Sequence, residues 1–389
     1  MDIRHSNNFT MILLRWFAEN GRDLPWRNTR NPYAIWLSEV ILQQTRVAQG
    51  RAYWERFMQR FPRVEDLAVA SEDEVLRLWQ GLGYYSRARN LHYAARQIVE
   101  LGGFPKTIEG LRQLKGVGDY TAAAIGSIAF GLPEAVVDGN VYRVLARCFG
   151  IDTPINSSEG KKIFSTLAQS LLPHSLPDGC LTTGNEDALS APSMYNQAVM
   201  DFGAMVCTPA SPRCLLCPLG EICDALRTRR VSTLPVKLKT VKVKTRRLAY
   251  VYIRCKGETV IRKRPEGDIW QGLWEPFVVE MGEEKTVDNI GKQRQSTVDA
   301  SKDGEAAPLL NDEFGRLLPS SMRQWPLIRL RKNVKHVLTH RILMADFYLL
   351  ETDVWPDLPD GYLRIAEQDI DDYGKPRLFE LLLETLPER

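Results

Sequence analysis

Two carboxylates about a hundred residues apart are the side chains of this sequence best suited to catalysis. Glu39 lies within the apolar run IWLSEVILQQT, and Asp138 follows the apolar residues of AVVDGN. A carboxyl group among apolar side chains has a raised pKa and holds a proton near neutral pH, whereas one in a polar turn stays ionised. This pairing suits cleavage of a glycosidic bond, in which one group protonates the leaving group and the other stabilises the positively charged sugar.

The segment LKGVGDYTAAAIG, between the two carboxylates, combines a Gly-x-Gly turn at Gly116 and Gly118 with the start of a helical pattern. Free backbone N–H groups at a helix N-terminus attract anions, so the turn is a candidate phosphate site. Sugar chemistry together with phosphate binding points to nucleic acid. The net charge of +3 adds little to this, but residues 227–247 contain nine Lys and Arg and no acid. This basic stretch either contacts phosphate or is a solvated linker.

Four of the seven cysteines are crowded into the segment CTPASPRCLLCPLGEIC. In an intracellular protein such crowding favours a metal site over disulfides. Zinc sites more often have two separated Cys-x-x-Cys pairs, whereas one compact loop can surround an iron–sulfur cluster. An iron–sulfur cluster is therefore favoured over zinc, with these ligands: Cys207, Cys214, Cys217 and Cys223. The isolated cysteines are expected to be ordinary thiols: Cys148, Cys180 and Cys255.

The spacing of apolar residues predicts helices over residues 8–150, 161–172 and 194–205, with a polar surface insertion before the last of them. Beyond the basic stretch the pattern alternates, as in LAYVYIRCKGETVIRKRP, which predicts a hairpin that turns at Lys256 and Gly257. Residues 280–305 are charged and poor in aromatics and are expected to form a mobile loop, and RLFELLLETL predicts a closing helix.

These patterns predict a mainly α domain followed by a smaller α+β domain. The expected bounds are 1–227 for the helical domain, including the cysteine loop 207–223, then 228–245 for the basic linker and 246–389 for the second domain. No apolar run reaches the roughly 18 residues of a membrane helix, and the N-terminal apolar segment lacks a cleavage site for secretion. We therefore expect a cytoplasmic protein, and a monomer, since no segment suggests an oligomerisation surface.

Six segments together resemble the adenine DNA glycosylase (MutY) family of the helix-hairpin-helix DNA glycosylase superfamily. They are WLSEVILQQT, GLGYYSRARNLHYAA, LKGVGDYTAAAI, VVDGNVYRVLARCFG, YNQAVMDFGAMVC and the cysteine loop, and the resemblance covers about residues 8–230. It implies a helical glycosylase domain with a 4Fe-4S cluster and a Nudix-like C-terminal domain. It also implies a DNA repair enzyme that binds duplex DNA and removes adenine mispaired with 8-oxoguanine or guanine.

The resemblance assigns roles to the residues around the two carboxylates. Glu39 resembles the family's general acid, which protonates N7 of a flipped adenine and later helps to position water. Asp138 resembles the carboxylate that stabilises the oxocarbenium-like sugar, and Asn140 would hydrogen-bond to the site. Two simpler readings stay open: Asp138 could be the N-cap of the helix VYRVLARCF, and Glu39 could form a buried ion pair with an arginine such as Arg46.

Tyr120 distinguishes two branches of the superfamily. In the endonuclease III branch the matching position holds a lysine, whose amine attacks the sugar and forms a Schiff base. A phenol cannot form that imine, so we expect base removal without strong strand cleavage. Lys115 stands where the family usually has proline, and as a point charge it is expected to touch phosphate.

Several further positions match the family's DNA-binding residues. Excision requires the base to leave the stack, so side chains must fill the gap. The family's wedge residues are matched by Gln44, Leu82 and Tyr84, and its adenine pocket by Arg22, Trp26 and Gln197. Ordinary core packing is the alternative reading for Trp26, Leu82 and Tyr84.

The C-terminal residues resemble the Nudix-like domain less strongly, through RKRPEGDIWQGLWEPF and VKHVLTHRILMADFYLL. They lack the Glu-rich magnesium-binding signature, so nucleotide hydrolysis is not expected. Where the family recognises 8-oxoguanine with a Phe-Ser-His loop, this chain has Leu338, Thr339 and His340. The hydroxyl and the imidazole are kept and the aromatic ring is lost. Alternatively, His336 and His340 only cap a pair of strands.

The sequence as a whole predicts a monofunctional adenine glycosylase of base excision repair. One alternative is a bifunctional glycosylase and abasic lyase of the endonuclease III kind. Another is a non-catalytic protein that binds damaged DNA through the cluster and the basic linker.

Overall fold

A computed structural model of the chain describes residues 3–176, 190–238, 243–284 and 313–387. Most of the predicted insertion and of the loop over 280–305 lies outside these ranges, as does Cys180. The chain divides into two compact units, one formed by residues 1–69 and 90–239 and the other by residues 70–89 and 240–389. None of the helices in the described residues is long and apolar enough to cross a membrane.

The first unit is helical, as the apolar spacing predicted. The helices that precede the first strand are α1 (Ile3–Asn20), α2 (Pro32–Leu42), α3 (Val47–Arg60), α4 (Val64–Val69), α5 (Glu72–Leu78), α6 (Ser86–Glu100), α7 (Ile108–Arg112), α8 (Asp119–Phe130), α9 (Gly139–Cys148), α10 (Ser158–Ser170), α11 (Ala191–Met205) and α12 (Asp224–Arg227). The core of the unit includes Phe9 and Leu13 of α1, Leu145 of α9 and Phe202 of α11, all at most 1% exposed.

Helix α2 is the element that buries Glu39. Pro32 occupies its first turn, and the side chain of Asn31 caps it by accepting a hydrogen bond from the backbone N–H of Tyr33 at 2.9 Å. Its sequence, PYAIWLSEVIL, is apolar on nearly every side, and a helix of that kind is buried all round. A carboxyl group at position 39 therefore has to lie inside the unit.

Residues 70–89 belong to the second unit, although the sequence assigned them to the helical domain. Within the second unit, Trp274 Nε1 donates a hydrogen bond to Asp73 at 3.1 Å, and Arg89 donates one to the backbone oxygen of Gln271 at 2.6 Å. The apolar spacing correctly predicts that α5 is a helix. It gives no information on which distant residues α5 packs against.

The second unit contains two sheets. Its strands and remaining helices are β1 (Lys244–Arg254), β2 (Glu258–Lys263), β3 (Trp274–Glu275), β4 (Phe277–Glu284), α13 (Glu313–Leu317), β5 (Leu327–Val337), β6 (Arg341–Glu351), β7 (Tyr362–Ala366) and α14 (Arg377–Leu383). The four-stranded sheet has the order β4-β1-β6-β5, with β1 and β6 parallel, and the three-stranded sheet has the order β3-β2-β7. Helix α14 is the predicted closing helix, and Phe379 is buried in the core beside Tyr250 and Phe347.

The predicted turn between β1 and β2 is confirmed. Lys256 and Gly257 both have positive φ, 52° and 84°, and a bridge joins Cys255 to Glu258. The two strands nevertheless belong to different sheets, so this turn links the sheets. Alternation of polar and apolar residues fixes the strands but does not fix their partners.

Candidate active site

The carboxyl group of Glu39 is nearly enclosed, with 8% of the residue exposed. The hydroxyl of Tyr120, from the first turn of α8, donates a hydrogen bond to Glu39 Oε2 at 2.5 Å. Burial raises the pKa of Glu39, and the negative charge of Asp138 raises it further, while the Tyr120 hydrogen bond and the charge of Arg27 act in the opposite direction. The raised pKa predicted from the apolar neighbours is therefore confirmed, with Tyr120 rather than an arginine as the hydrogen-bonding partner.

Asp138 is the N-cap of α9, and it also lines the cavity that contains Glu39. Its Oδ1 accepts hydrogen bonds from the backbone N–H groups of Asn140 and Val141, each at 2.8 Å, and its Oδ2 accepts one from the Asn140 side chain at 2.7 Å. The N-cap reading is therefore confirmed, and a cap at this position leaves Asp138 at the cavity wall, where the role expected from the resemblance stays a prediction.

The pKa of Asp138 corrects the expectation of a simple polar turn. Burial raises this pKa too, and the hydrogen bonds from Val141 and Asn140 and the charge of Arg143 act in the opposite direction. The sequence shows the polar turn but not the cavity wall that desolvates the carboxylate. Both carboxylates are therefore perturbed by burial, and they differ in what surrounds them: one phenolic donor at Glu39, and a helix N-terminus with an amide at Asp138.

A cavity of about 1020 Å³ in the first unit brings together eight of the residues predicted from the sequence. The predicted residues that line it are Arg22, Trp26, Glu39, Gln44, Tyr120, Asp138, Asn140 and Gln197. They come from the loop before α2, from α2 and its C-terminal loop, and from the N-terminal turns of α8 and α9 and the middle of α11. Residues that are far apart in the sequence therefore line one cavity, which has room for a nucleobase and its sugar.

Trp26 and Gln197 give this cavity one aromatic wall and one free acceptor. Trp26 is 5% exposed and contacts Trp54 edge-on at 5.7 Å, so it is both a core residue and a cavity residue. Gln197 is 1% exposed, and its Nε2 donates to Ser193 Oγ at 3.0 Å. Its Oε1 is buried without a hydrogen-bond partner among the described residues. A buried acceptor left in this state is costly unless a ligand donates to it.

Asp201 is a site residue that the sequence analysis missed. It is fully buried on α11 and binds two cavity arginines: Arg22 Nε donates to its Oδ1 at 2.8 Å, and Arg27 Nη1 donates to its Oδ2 at 2.6 Å. These hydrogen bonds and charges hold the pKa of Asp201 below its usual range despite burial. A lone aspartate within the apolar run AVMDFGAM was the available signal, because a carboxylate there requires a buried cation.

The Gly-x-Gly turn connects α7 to α8. Gly116 has φ +79°, and a Cβ there would lie 2.7 Å from Asn90 Cβ, so glycine is required on both counts. Gly118 is the N-cap of α8, and a Cβ there would meet nothing within 4 Å, which leaves open space beside the first turn. This local geometry fits the phosphate site predicted from the sequence.

Arg143, also missed from the sequence, links the Asp138 cap to the cysteine loop. Its Nη2 donates to Asn140 Oδ1 at 2.8 Å and to the backbone oxygen of Gly203 at 2.6 Å, and its Nε donates to the backbone oxygen of Cys207 at 2.6 Å. One guanidinium therefore fixes Asn140 and the first residue of the cysteine loop at the same time.

The four predicted ligands line one small cavity of about 30 Å³: Cys207, Cys214, Cys217 and Cys223. Among the described residues, no three Cys, His, Asp or Glu side chains lie close enough to share a single metal ion. A zinc ion requires four ligands about 2.3 Å from one centre, whereas a cluster binds each cysteine to a different iron and so keeps the sulfurs farther apart. Four thiols around one cavity could hold the iron–sulfur cluster that the sequence favours.

A second cavity, of about 680 Å³, lies within the second unit. It is lined by all three residues of the turn between β5 and β6, Leu338, Thr339 and His340, together with Leu82 and Tyr84. The hydroxyls of Tyr84 and Thr339 are hydrogen-bonded to each other. The structure thus joins two predicted groups that lie more than 250 residues apart.

Exposure distinguishes the members of this second site. Tyr84 is 48% exposed and has φ +48°, which does not suit a packing residue, whereas Leu82 is 9% exposed and packs as a core residue would. His336 contacts the ring of Trp270 at 5.6 Å, and His340 is exposed in the turn. Gln44, predicted to act with Leu82 and Tyr84, lines the first cavity instead.

Comparison with known proteins matches one family model to the N-terminal part of the chain and another to the C-terminal part. Residues 37–170 match a family described as HhH-GPD superfamily base excision DNA repair protein, and residues 249–385 match the NUDIX domain family. A solved thermostable thymine-DNA glycosylase is 29% identical, with a TM-score of 0.50, and covers 58% of this chain and 98% of its own. The expected fold classes of the two parts are therefore confirmed.

Curated relatives give a closer match. The adenine DNA glycosylase of Mus musculus is 44% identical over 248 residues, which is 60% of this chain and 45% of that protein. The adenine DNA glycosylase of Buchnera aphidicola subsp. Schizaphis graminum is 33% identical over 269 residues, which is 68% of this chain and 73% of that protein. The chain thus spans less than half the length of the mouse relative and most of the length of the bacterial one.

Proposed function

The chain belongs to the adenine DNA glycosylase family, and we propose that it hydrolyses the N-glycosidic bond of adenine paired with 8-oxoguanine or guanine in duplex DNA, as a step of base excision repair. The observation that carries this proposal is the cavity of about 1020 Å³ that contains both Glu39 and Asp138. It combines a protonated acid, a carboxylate for the sugar, an aromatic wall and a free acceptor.

Glu39 is the general acid in this proposal. Because burial raises its pKa, its carboxyl group holds a proton more readily than an exposed glutamate does and can deliver that proton to N7 of adenine. Protonation makes the base a better leaving group, so the bond between C1′ and N9 breaks with both electrons going to N9. Tyr120 holds the carboxyl group in position through its hydrogen bond to Oε2.

Asp138 stabilises the positive charge that then develops on the sugar. The hydrogen bonds from the Asn140 and Val141 backbones and from the Asn140 side chain favour its ionised form and fix its orientation. Water then adds to C1′ and gives a proton to the carboxylate that Glu39 became when it protonated the base, which restores the acid and leaves an abasic sugar. The reaction stops there because the cavity offers a phenol at Tyr120, where a lyase would need an amine.

Adenine would be recognised by one acceptor that has no hydrogen-bond partner among the described residues, together with an aromatic ring and two arginines of the cavity wall. Gln197 Oε1 can accept a hydrogen bond from the exocyclic amine of the base, which restores the bond that this buried oxygen lacks. Trp26 offers a flat apolar face, and Arg22 and Arg27 are held at the cavity wall by Asp201. Thymine carries no exocyclic amine and no N7, so it offers neither the amino group proposed to donate to Gln197 nor the atom that Glu39 would protonate.

The base opposite adenine would be read by the second cavity. The side chains of Thr339 and His340 supply polar groups there, and Tyr84 supplies an exposed aromatic ring that can fill a gap in the stack. Leu338 stands where the family has phenylalanine, so its contribution is apolar contact without ring stacking. We propose no nucleotide hydrolysis by this domain, because the sequence lacks the acidic signature that binds magnesium.

The proposed cofactor is a 4Fe-4S cluster bound by Cys207, Cys214, Cys217 and Cys223. When bound, such a cluster orders the loop that contains its ligands, and through Arg143 that loop is hydrogen-bonded to Asn140. Protein isolated without oxygen should contain about four irons per chain and the visible absorption of an iron–sulfur chromophore. Stoichiometric zinc in place of iron would contradict this assignment.

The Glu39→Gln variant separates an enzyme from a DNA binder. The amide keeps the shape of the side chain and cannot transfer the proton, so adenine release should fall by roughly 10²-fold or more while affinity for an A:8-oxoguanine duplex is retained. Glu55→Gln, a change to an exposed carboxylate on α3, is the matched control and should leave both unchanged. Equal release by the parent and Glu39→Gln would reject the proposed acid, and an inactive parent would favour the binder.

A further inference from the structure

We propose that β5 forms a binding track for the phosphate backbone of duplex DNA, outside both cavities. Residues 320–345 contain six Lys and Arg and no Asp or Glu. Four of these cations lie on β5 and have exposed side chains: Arg329, Arg331, Lys332 and Lys335. The track rests on the proposed function, because it supplies a further contact with the DNA on which the enzyme acts.

None of these four cations has a carboxylate partner among the described residues, in contrast to two arginines of β1. Arg246 pairs with Asp268 and Glu280 at 2.6 Å, and Arg254 pairs with Glu351 and Glu367 at 3.0 Å. Beside the track, Asp346 on β6 accepts a hydrogen bond from the backbone N–H of Asn333 at 2.6 Å. The positive charges of β5 are therefore available to bind a polyanion such as DNA.

The backbone of β5 is irregular where the cations lie. Its pairing with β6 shifts register between Arg329 and Arg331 and again between Arg331 and Val334, and Asn333 has φ +56°. Bulges of this kind occur at sheet edges and redirect side chains away from regular pairing. In the part of the chain that the structure describes, β5 is an edge strand of the four-stranded sheet, so Arg331 and Lys332 lie at an edge where no further described strand pairs.

The track is continuous with the second cavity. Strand β5 ends at Val337, and the next three residues are Leu338, Thr339 and His340, which line that cavity. A duplex held by its phosphates along β5 would therefore have its bases next to the turn proposed to read them. Phosphate contacts of this kind fix register and add affinity without sequence preference.

Protection of a sheet edge is the competing explanation, because charged side chains on an edge strand prevent pairing with other chains. The two explanations differ in the sign of charge they require. Glutamate would protect the edge as well as lysine does, but it would repel phosphate. Charge reversal on β5 therefore tests DNA binding without removing the protection.

The test compares two double variants that change the net charge equally. Arg331→Glu with Lys335→Glu alters the track, and Lys161→Glu with Lys162→Glu alters two exposed lysines on α10, which lines neither cavity. Affinity for an undamaged duplex is measured at several salt concentrations, together with adenine release at saturating enzyme. The track variant should lose on the order of tenfold in affinity per contact near 0.1 M salt, and its salt slope should fall by about two.

The control variant should bind as the parent does, and adenine release at saturating enzyme should be unchanged in both. The proposal would be overturned if the track variant and the parent had the same DNA affinity and the same salt dependence. It would also be overturned if the control variant lost as much affinity as the track variant. If the track variant melts at lower temperature, Arg331→Gln with Lys335→Gln gives the slope without charge reversal. A parent that releases no adenine would reject the proposed function, while the affinity comparison would still decide the track.

Discussion

The hydrogen bond between Tyr120 and Glu39 should set the pH range of adenine release. Tyr120 donates to Glu39 Oε2 at 2.5 Å and thereby favours the ionised carboxylate. Tyr120→Phe removes the hydroxyl and keeps the ring. A hydrogen bond to a charged group contributes roughly 1.5 to 3 kcal/mol, and one pKa unit corresponds to about 1.4 kcal/mol. The pKa of Glu39, already raised by burial, should therefore rise further in this variant, because the carboxylate loses the hydrogen bond that favours its ionised form.

A general acid acts in its protonated form, so the single-turnover rate should be constant below the pKa of Glu39 and fall above it. In Tyr120→Phe that fall should occur at a higher pH than in the parent. The plateau should also be lower, because a weaker acid transfers its proton less readily. The assay is the rate of adenine release from a duplex with one A:8-oxoguanine pair, measured at saturating enzyme across the pH range.

Tyr142→Phe is the matched control for this experiment. Tyr142 is a second phenol that lines the same cavity, and its ring packs against Phe164 at 5.1 Å. Its variant should keep the pH profile of the parent. A Tyr120→Phe profile that coincides with the parental one would refute the assignment of Glu39 as the acid under Tyr120 control. A shift to lower pH would contradict the sign of the hydrogen-bond effect.

Three further outcomes follow from the same cavity. Burial raises the pKa of Glu39 above its value in the unfolded chain, so the stability of the parent should fall as the pH rises from the unfolded to the folded pKa. Glu39→Gln should therefore melt at a higher temperature than the parent at neutral pH and lose this advantage in acid, as measured by calorimetry. Asp138→Asn should keep the N-cap and most of the stability but lose adenine release. Asp138→Ala should lose adenine release and also the N-cap, which lowers stability by about 1 kcal/mol. Full activity of either variant would mean that Asp138 acts only as a cap. Tyr120→Lys should trap DNA covalently with borohydride, and the parent should not; abundant trapping by the parent would instead indicate a lyase.

The parts of the site that could be predicted are those with a local signature. Glu39 has apolar neighbours in its own helix, Asp138 has a turn followed by a helix, and the four cysteines have short spacings. Their types and spacings already imply an acid, a helix cap and a cluster loop. The structure confirms that Glu39 is buried and that Asp138 is an N-cap.

The parts that could not be predicted depend on long-range pairing. Asp201 lies 179 residues from Arg22, and Arg143 lies 60 residues from Gly203, so no local pattern joins them. For the same reason the helical period of residues 70–89 was visible while their assignment to the second unit was not. The hydrogen bond between Tyr84 and Thr339 crosses 255 positions and belongs to the same class of contact.

The most direct test of the proposed function is single-turnover release of adenine from a duplex with one A opposite 8-oxoguanine, beside the same duplex with T in place of A. We expect release from the first duplex alone, with the strand intact until alkali is added. Protein that contains its cluster and releases no adenine from the first duplex would reject the proposed function. Release of thymine, or prompt strand cleavage, would contradict the roles given to Gln197 and Tyr120.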